Sequence, residues 1–141
     1  MNLVDANVLV YATNRADPKH EDSRQWLEGA FSRQGIVGFA WMSVLAFIRL
    51  STKVGLFPRP LSITEALDAV RAWMDQPTSV VVEPSVRHLE ILAGLLVPLG
   101  AGGNLTSDAH RAALAVEYDA TVVTYDSDFG RFAGVRWQPP R

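Results

Sequence analysis

The chain has 141 residues, 48% of them hydrophobic and 20% charged, with a formal net charge of −2 and no cysteine. This balance suits one soluble globular domain over residues 1–141; it speaks against a generally basic polyanion binder and excludes a disulfide framework, a thiol nucleophile and a thiolate zinc site. No apolar run reaches the ~20 residues of a membrane span, and the start lacks the pattern of a signal peptide, so a cytoplasmic protein with no membrane contact is expected.

In chain order, Leu3–Asp5 reads as a short strand running into a helix through Val10, and His20–Phe31 as a second helix. GIVGF (Gly35–Phe39) has the apolar density of a buried strand, and Ser43–Val54 follows as a helix. Ile63, Leu67, Val70 and Met74 mark one helix face, with Ser62 as N-cap and Glu65 three residues on, the spacing of a capping box. Ser79–Glu83, bounded by prolines, reads as a strand. Val86, Leu89, Ala93 and Leu96 return to helical spacing. After a Gly-rich loop, Ala109, Ala112, Ala113 and Val116 give a small-residue helix face able to pack close on a sheet. TVVTYD (Thr121–Asp126) and Val135–Trp137 are the last strands. Strands alternating with helices predict an α/β fold with a mainly parallel sheet covered on both faces.

Ligands of such sheets gather at the carboxyl ends of the strands, near the point where the strand order reverses. Asp5 ends the first strand, and Asp126 ends TVVTYD, with Thr124 two residues before it and Asp128 two after. Asp108 falls in the first turn of the helix that precedes that strand. Taken singly, each has a structural role: Asp5 as a helix cap, Asp108 as a complement to a helix N-terminus capped by Thr106 or Ser107, worth roughly 0.3–1 kcal/mol, and Asp126 and Asp128 as turn formers. Taken together they converge on one sheet edge. Clustered carboxylates repel, and a hard divalent cation with oxygen ligands is the natural counter-charge.

The stretches LVDANVLVYA, NLTSDAHRAALAVEYDATVVTYDSDFGRF and GVRW, in that order and spacing, resemble the PIN-domain family. More narrowly they resemble the VapC-type toxins of bacterial toxin–antitoxin modules, in the subgroup abundant in mycobacteria. The resemblance implies a three-layer α/β/α fold and a Mg²⁺- or Mn²⁺-dependent endoribonuclease. Its catalytic carboxylates would be Asp5, Asp108 and Asp126, the metal being held by Asp5 and Asp108, with Asp126 direct or through water. Asn7 and Thr124 would support them, and Asp128 would either cap a short terminal helix or stand in as a further supporting carboxylate. The partners implied are a cognate VapB-type antitoxin, a second copy in a homodimer, and structured RNA such as transfer or ribosomal RNA. One departure stands out. PIN nucleases commonly carry a Glu on the helix after the second strand, shortly before an Arg; here SVLAFIRLST offers Ala46 or Phe47 there, with Arg49 beyond. That absence favours a single-metal site, and it keeps open a catalytically weakened PIN module that binds RNA or protein.

Other signals carry less. A HAD-like phosphatase also begins with a strand-terminal Asp but needs a second Asp at position 7, where this chain has Asn7. Gly100–Asn104 lacks the ending of a P-loop and the glycine spacing of a dinucleotide site, and there is no G-x-S-x-G elbow. His110 points about 200° round the helix from Asp108, which gives it a structural or substrate-facing role. His20 and His88 read as surface residues, and the four tryptophans as packing residues. Eleven of the 13 basic residues are arginine; Arg15, Arg49, Arg111 and Arg131 lie near the motifs, as phosphate contacts or solvated salt bridges.

Overall fold

A computed structural model describes residues 1–141. Five strands, β1 (Asn2–Val4), β2 (Val37–Ala40), β3 (Ser79–Val82), β4 (Thr121–Val123) and β5 (Trp137–Gln138), form one sheet in the order β3-β2-β1-β4-β5. Every pairing is parallel, with Leu3 opposite Gly38 on one side and Val122 on the other. The helices are α1 (Ala6–Thr13), α2 (His20–Ser32), α3 (Trp41–Ser51), α4 (Ile63–Met74), α5 (His88–Leu96) and α6 (Leu105–Glu117). The chain builds outward from β1 through β2 to β3, then returns to β1's other side for β4 and β5, so the order reverses at the β1–β4 junction. No helix is long and apolar enough to cross a membrane.

Alternation along the strands divides the interior into two cores. Val4, Val37, Phe39 and Val123 face α1 to α4 and pack with Val8, Leu9, Trp26, Leu27, Val44 and Phe47. Leu3, Val82 and Val122 face the other way, against Leu95, the α6 alanines, Phe129 and Phe132. This is the expected three-layer α/β/α arrangement. Ala109, Ala112 and Ala113 are wholly buried, and their small side chains let α6 lie close on the sheet. Leu114 and Ala115 join that face, whereas Val116 in the last turn is exposed.

Several boundaries differ from the sequence reading for local reasons. Ala40 ends β2 and is itself the N-cap of α3, so that helix starts at Trp41 without a loop and ends at Ser51, short of Val54. The strand pattern of TVVTYD stops at Val123, because the Asp126 carboxylate accepts from the Asp128 N–H and starts a 3₁₀ turn over Ser127–Arg131. Asp126, not Asp128, is therefore the cap of that turn. Asn104, rather than Thr106 or Ser107, precedes α6, and it makes no side-chain capping bond. The capping box at α4 forms as read: Ser62 accepts from the Glu65 N–H, and Glu65 accepts from the Ser62 N–H. Trp26 is buried and Trp73 packs edge-on against Phe47, but Trp41 is 49% exposed.

The histidines also differ from expectation. His20 Nδ1 lies 2.9 Å from the Tyr11 carbonyl, tying the start of α2 to α1. His88 joins α5 to α6: its Nδ1 lies 2.9 Å from Glu117 Oε2, and its Nε2 lies 2.9 Å from His110 Nδ1. Glu117 also accepts from the Ser85 N–H and hydroxyl. With both rings neutral, His88 donates to Glu117 and accepts from His110, a chain in which each group needs its neighbour's protonation state. Burial, followed by the charges of His88 and Arg111, pushes His110 below its ordinary pKa of 6.5, against the pull of Glu117.

Two stability predictions follow from these contacts. Ser62→Ala removes the α4 cap at an exposed helix end and should cost about 1 kcal/mol in urea denaturation. Because the folded state holds His110 neutral, its contribution is full above pH 6.5 and is lost as pH falls through that value towards the depressed folded one. Melting temperature should therefore drop as pH falls below 6.5, and less steeply in His110→Gln; equal slopes would show that His110 does not carry the effect.

Candidate active site

The site forms where the strand order reverses, at the carboxyl ends of β1 and β4. The Asp5 N–H still donates to the Val123 carbonyl at 3.0 Å, continuing the sheet by one residue. The backbone then turns into α1 with Asp5 as N-cap, its Oδ1 accepting from the Ala6 N–H at 2.7 Å. The capping role is real, and it uses only part of the carboxylate. Oδ2 accepts from the Thr124 hydroxyl at 2.7 Å, with Asn7 Nδ2 3.5 Å away, and Arg111 Nε lies 3.3 Å from Oδ1. Asp5 is 5% exposed, and both its oxygens are occupied by protein donors.

Thr124 is the junction of the site. It is wholly buried, and its hydroxyl donates to Asp5 while accepting from Asn7 Nδ2 and from the Asp126 N–H, each at 3.0 Å. One donor and two acceptors exhaust a hydroxyl's capacity. Asn7 completes the link by accepting from the Tyr125 N–H at 3.3 Å. The first motif and the β4 end are thus locked to each other by side chains 117 to 119 positions apart.

On the other side, α6 presents Asp108 from its first turn. Carboxylate oxygens of Asp108, Asp126 and Asp128 all lie within 4.8 Å of one another. Burial raises the Asp108 pKa, repulsion from Asp126 raises it further, and Asp5 and Asp128 add to this; Arg111 alone opposes them. Three hard oxygen donors of like charge at this spacing suit a divalent cation. Of the expected ligand pair, Asp108 is in the cluster and Asp5 stands beside it in an ion pair with Arg111; Asp128, expected as a supporting residue, joins the cluster.

The sequence reading also passed over Ser43 and undervalued Arg111. Arg111 reaches Asp108 Oδ1 through Nη1 at 3.1 Å and the Ser43 hydroxyl through Nε at 3.2 Å, besides its approach to Asp5. Its side chain is 12% exposed, so it is no solvated surface charge. Its i+3 spacing from Asp108 was the available signal. Arg15, Arg49 and Arg131 make no ion pair with the site's carboxylates. Of the two positions expected to carry Glu, Ala46 is half-buried and Phe47 is wholly buried in the α1–α4 core. A concavity of about 1200 Å³ lies away from this chemistry, between α1, α2, α4 and the Phe57–Leu61 loop, and none of the four aspartates lines it.

With this geometry in place, comparison with known proteins gives a consistent answer. A family model described as "PIN domain" matches residues 3–135. Ribonuclease VapC37 of Mycobacterium tuberculosis is 57% identical over 141 residues, which cover 99% of this chain and 98% of the relative. Ribonuclease VapC33 of the same organism is 34% identical over 140 residues, again covering 99% and 98%. Among solved structures, VapBC2 of Rickettsia felis bound to a promoter DNA fragment matches with TM-score 0.71 and 16% identity, over 98% of this chain and 97% of the other. M. tuberculosis VapC20, a sarcin–ricin loop cleaving toxin, matches with TM-score 0.69 and 16% identity, over 96% and 99%. The helix-covered parallel sheet, the aspartates gathered at its reversal point and the match along nearly the whole length agree: the chain belongs to the PIN-domain family.

Proposed function

We propose that this chain is the toxin of a type II toxin–antitoxin module, an endoribonuclease that hydrolyses RNA phosphodiester bonds with a divalent cation, Mg²⁺ or Mn²⁺. The observation that carries the reading is the meeting of Asp108, Asp126 and Asp128 beside an immobilised Asp5 at the carboxyl edge of the sheet. The relatives named ribonucleases support it. A bound divalent ion would supply charge against the phosphate oxygens and acidify a water. The chain's own residues do the positioning. Thr124 and Asn7 hold Asp5 and the Asp126 backbone in one frame, while α6 brings Asp108 to the same edge. An anion-rich site of this kind attracts a phosphate only with a cation present, so metal and substrate binding are coupled.

The reading extends to partners. The VapBC complexes among the structural neighbours support a VapB-type antitoxin as inhibitor, and the sarcin–ricin loop toxin among them supports structured RNA, ribosomal or transfer, as substrate. Trp41 and Leu45, exposed one turn apart on α3, supply an apolar face for a homodimer. One PIN domain over residues 1–141, acting in the cytoplasm where its RNA is found, completes the proposal.

Purified protein should cleave transfer or ribosomal RNA with Mn²⁺ or Mg²⁺ and stop on chelation. Asp108→Asn and Asp126→Asn should each lower the cleavage rate roughly 100-fold or more, and Thr124→Val by roughly 10–100-fold, as for loss of a group that orients a ligand. Cleavage that persists unchanged in chelator would refute the metal-dependent reading. RNA or protein binding without any cleavage would favour the weakened module.

A further inference from the structure

The Arg111 guanidinium sits inside the acidic site rather than at its rim. It bridges Asp5 Oδ1 at 3.3 Å and Asp108 Oδ1 at 3.1 Å, and the Ser43 hydroxyl on α3 accepts from its Nε at 3.2 Å. Side-chain exposures of 12%, 7% and 18% for Arg111, Asp5 and Asp108 place the trio largely out of water. The other two carboxylates of the cluster, Asp126 and Asp128, have no such neighbour: the Asp126 carboxylate accepts from the Asp128 N–H, but no basic side chain pairs with either. The site therefore has two halves. In one, a covalently attached cation offsets one of two carboxylate charges, and the other holds uncompensated negative charge.

We propose that Arg111 is the built-in cation of the Asp5–Asp108 half, restricting the site to one divalent ion on the Asp108–Asp126–Asp128 side and competing with that ion for Asp108. This rests on the metal-dependent reading above and assigns Arg111 a role that reading does not contain. Arg111 is a positioning residue here: a planar fork with fixed donors can span two carboxylates and a hydroxyl at once, and its charge is retained at every working pH. The same positive charge lies beside any ion bound to Asp108 and weakens that ion's hold by direct repulsion. The cluster's affinity for metal is thus set partly by a residue that would never touch the metal.

Calorimetric titration with Mn²⁺ alone, without RNA, tests this. Wild type should bind one ion. Arg111→Gln should bind the first ion about tenfold more tightly or better, as expected for removing a unit charge at this range, and should take up a second. Arg111→Lys keeps the charge without the fork, and it should remain a one-ion protein with affinity near that of wild type. Should Arg111→Gln not fold, a Mg²⁺ titration of wild type followed by NMR of the arginine Nε–H signals decides: the Arg111 resonance should shift as the ion competes for Asp108. Identical stoichiometry and affinity in wild type and Arg111→Gln would overturn this role while leaving the metal site intact, as would two ions in wild type or an unmoved Arg111 resonance. No Mn²⁺ binding to either protein would overturn both this role and the metal-dependent reading.

Discussion

Like-charge repulsion at the carboxyl edge of β1 and β4 is the constraint that the surrounding structure answers. Two unit charges 4 Å apart near a protein surface interact by about 4 kcal/mol, a large fraction of the 5–15 kcal/mol by which domains are stable. The fold brings four carboxylates to this edge and treats them unequally. Asp5 is saturated with donors: the Ala6 N–H, the Thr124 hydroxyl and the Arg111 guanidinium. Asp126 caps a turn. Asp108 has Arg111 on one side and carboxylates on the other, and its pKa rises accordingly. The repulsion is stored where a ligand of opposite charge can relieve it, and removed where it would only weaken the sheet.

Thr124 is what keeps that distribution fixed. A hydroxyl with all three hydrogen-bonding positions filled cannot rotate without leaving a buried group unpaired, at a cost of about 1–3 kcal/mol. It stands one residue past the end of β4, while Asp5 stands one residue past β1. Parallel pairing of Val4 with Val123 sets these positions side by side. Backbone register therefore determines a side-chain contact, and the contact in turn orients a carboxylate. Serine would make the same bonds with one methyl less to pack; valine would fill the space and make none of them.

What could be read from the sequence divides along this line. Asp5, Thr124 and Asp126 were legible because their positions follow from strand ends, and a polar residue ending an apolar run is visible in one dimension; Asn7 entered only through the family resemblance. Asp108 was legible because a helix start is. The layer architecture followed from alternating periodicities, and the α4 cap from its four-residue signature. Arg111–Ser43 and His88–His110 were not legible. These pairs are 68 and 22 residues apart, and their meeting depends on how α6 is rotated against α3 and α5, which no local pattern encodes. The cap was placed too late in the chain for a related reason: the spacing Asp-Ser-Asp suits a cap at either end, and the chain uses Asp126 rather than Asp128. Strand ends were overestimated where turn chemistry competes with β propensity, as at TVVTYD.

At Phe47, one of the two α3 positions where a carboxylate was expected, packing as well as electrostatics excludes it. Phe47 lies wholly buried and edge-on to Trp73, 4.9 Å between ring centroids, in the core that holds α3 and α4 to the sheet. A carboxylate at that position would need either a buried partner or a rotation of α3, and the aromatic pair leaves room for neither. One turn earlier, α3 offers Ser43, a small neutral hydroxyl that accepts from Arg111. The two helical layers, which share no core, are thus joined over the end of the sheet by a guanidinium: α6 supplies the cation, α3 the hydroxyl, and the β1–α1 junction one of the two anions. An acidic residue on α3 would place a further negative charge where Arg111 already neutralises Asp5. In this chain the positive charge comes from within, and the site's remaining need for a cation is confined to the side where Asp126 and Asp128 lie.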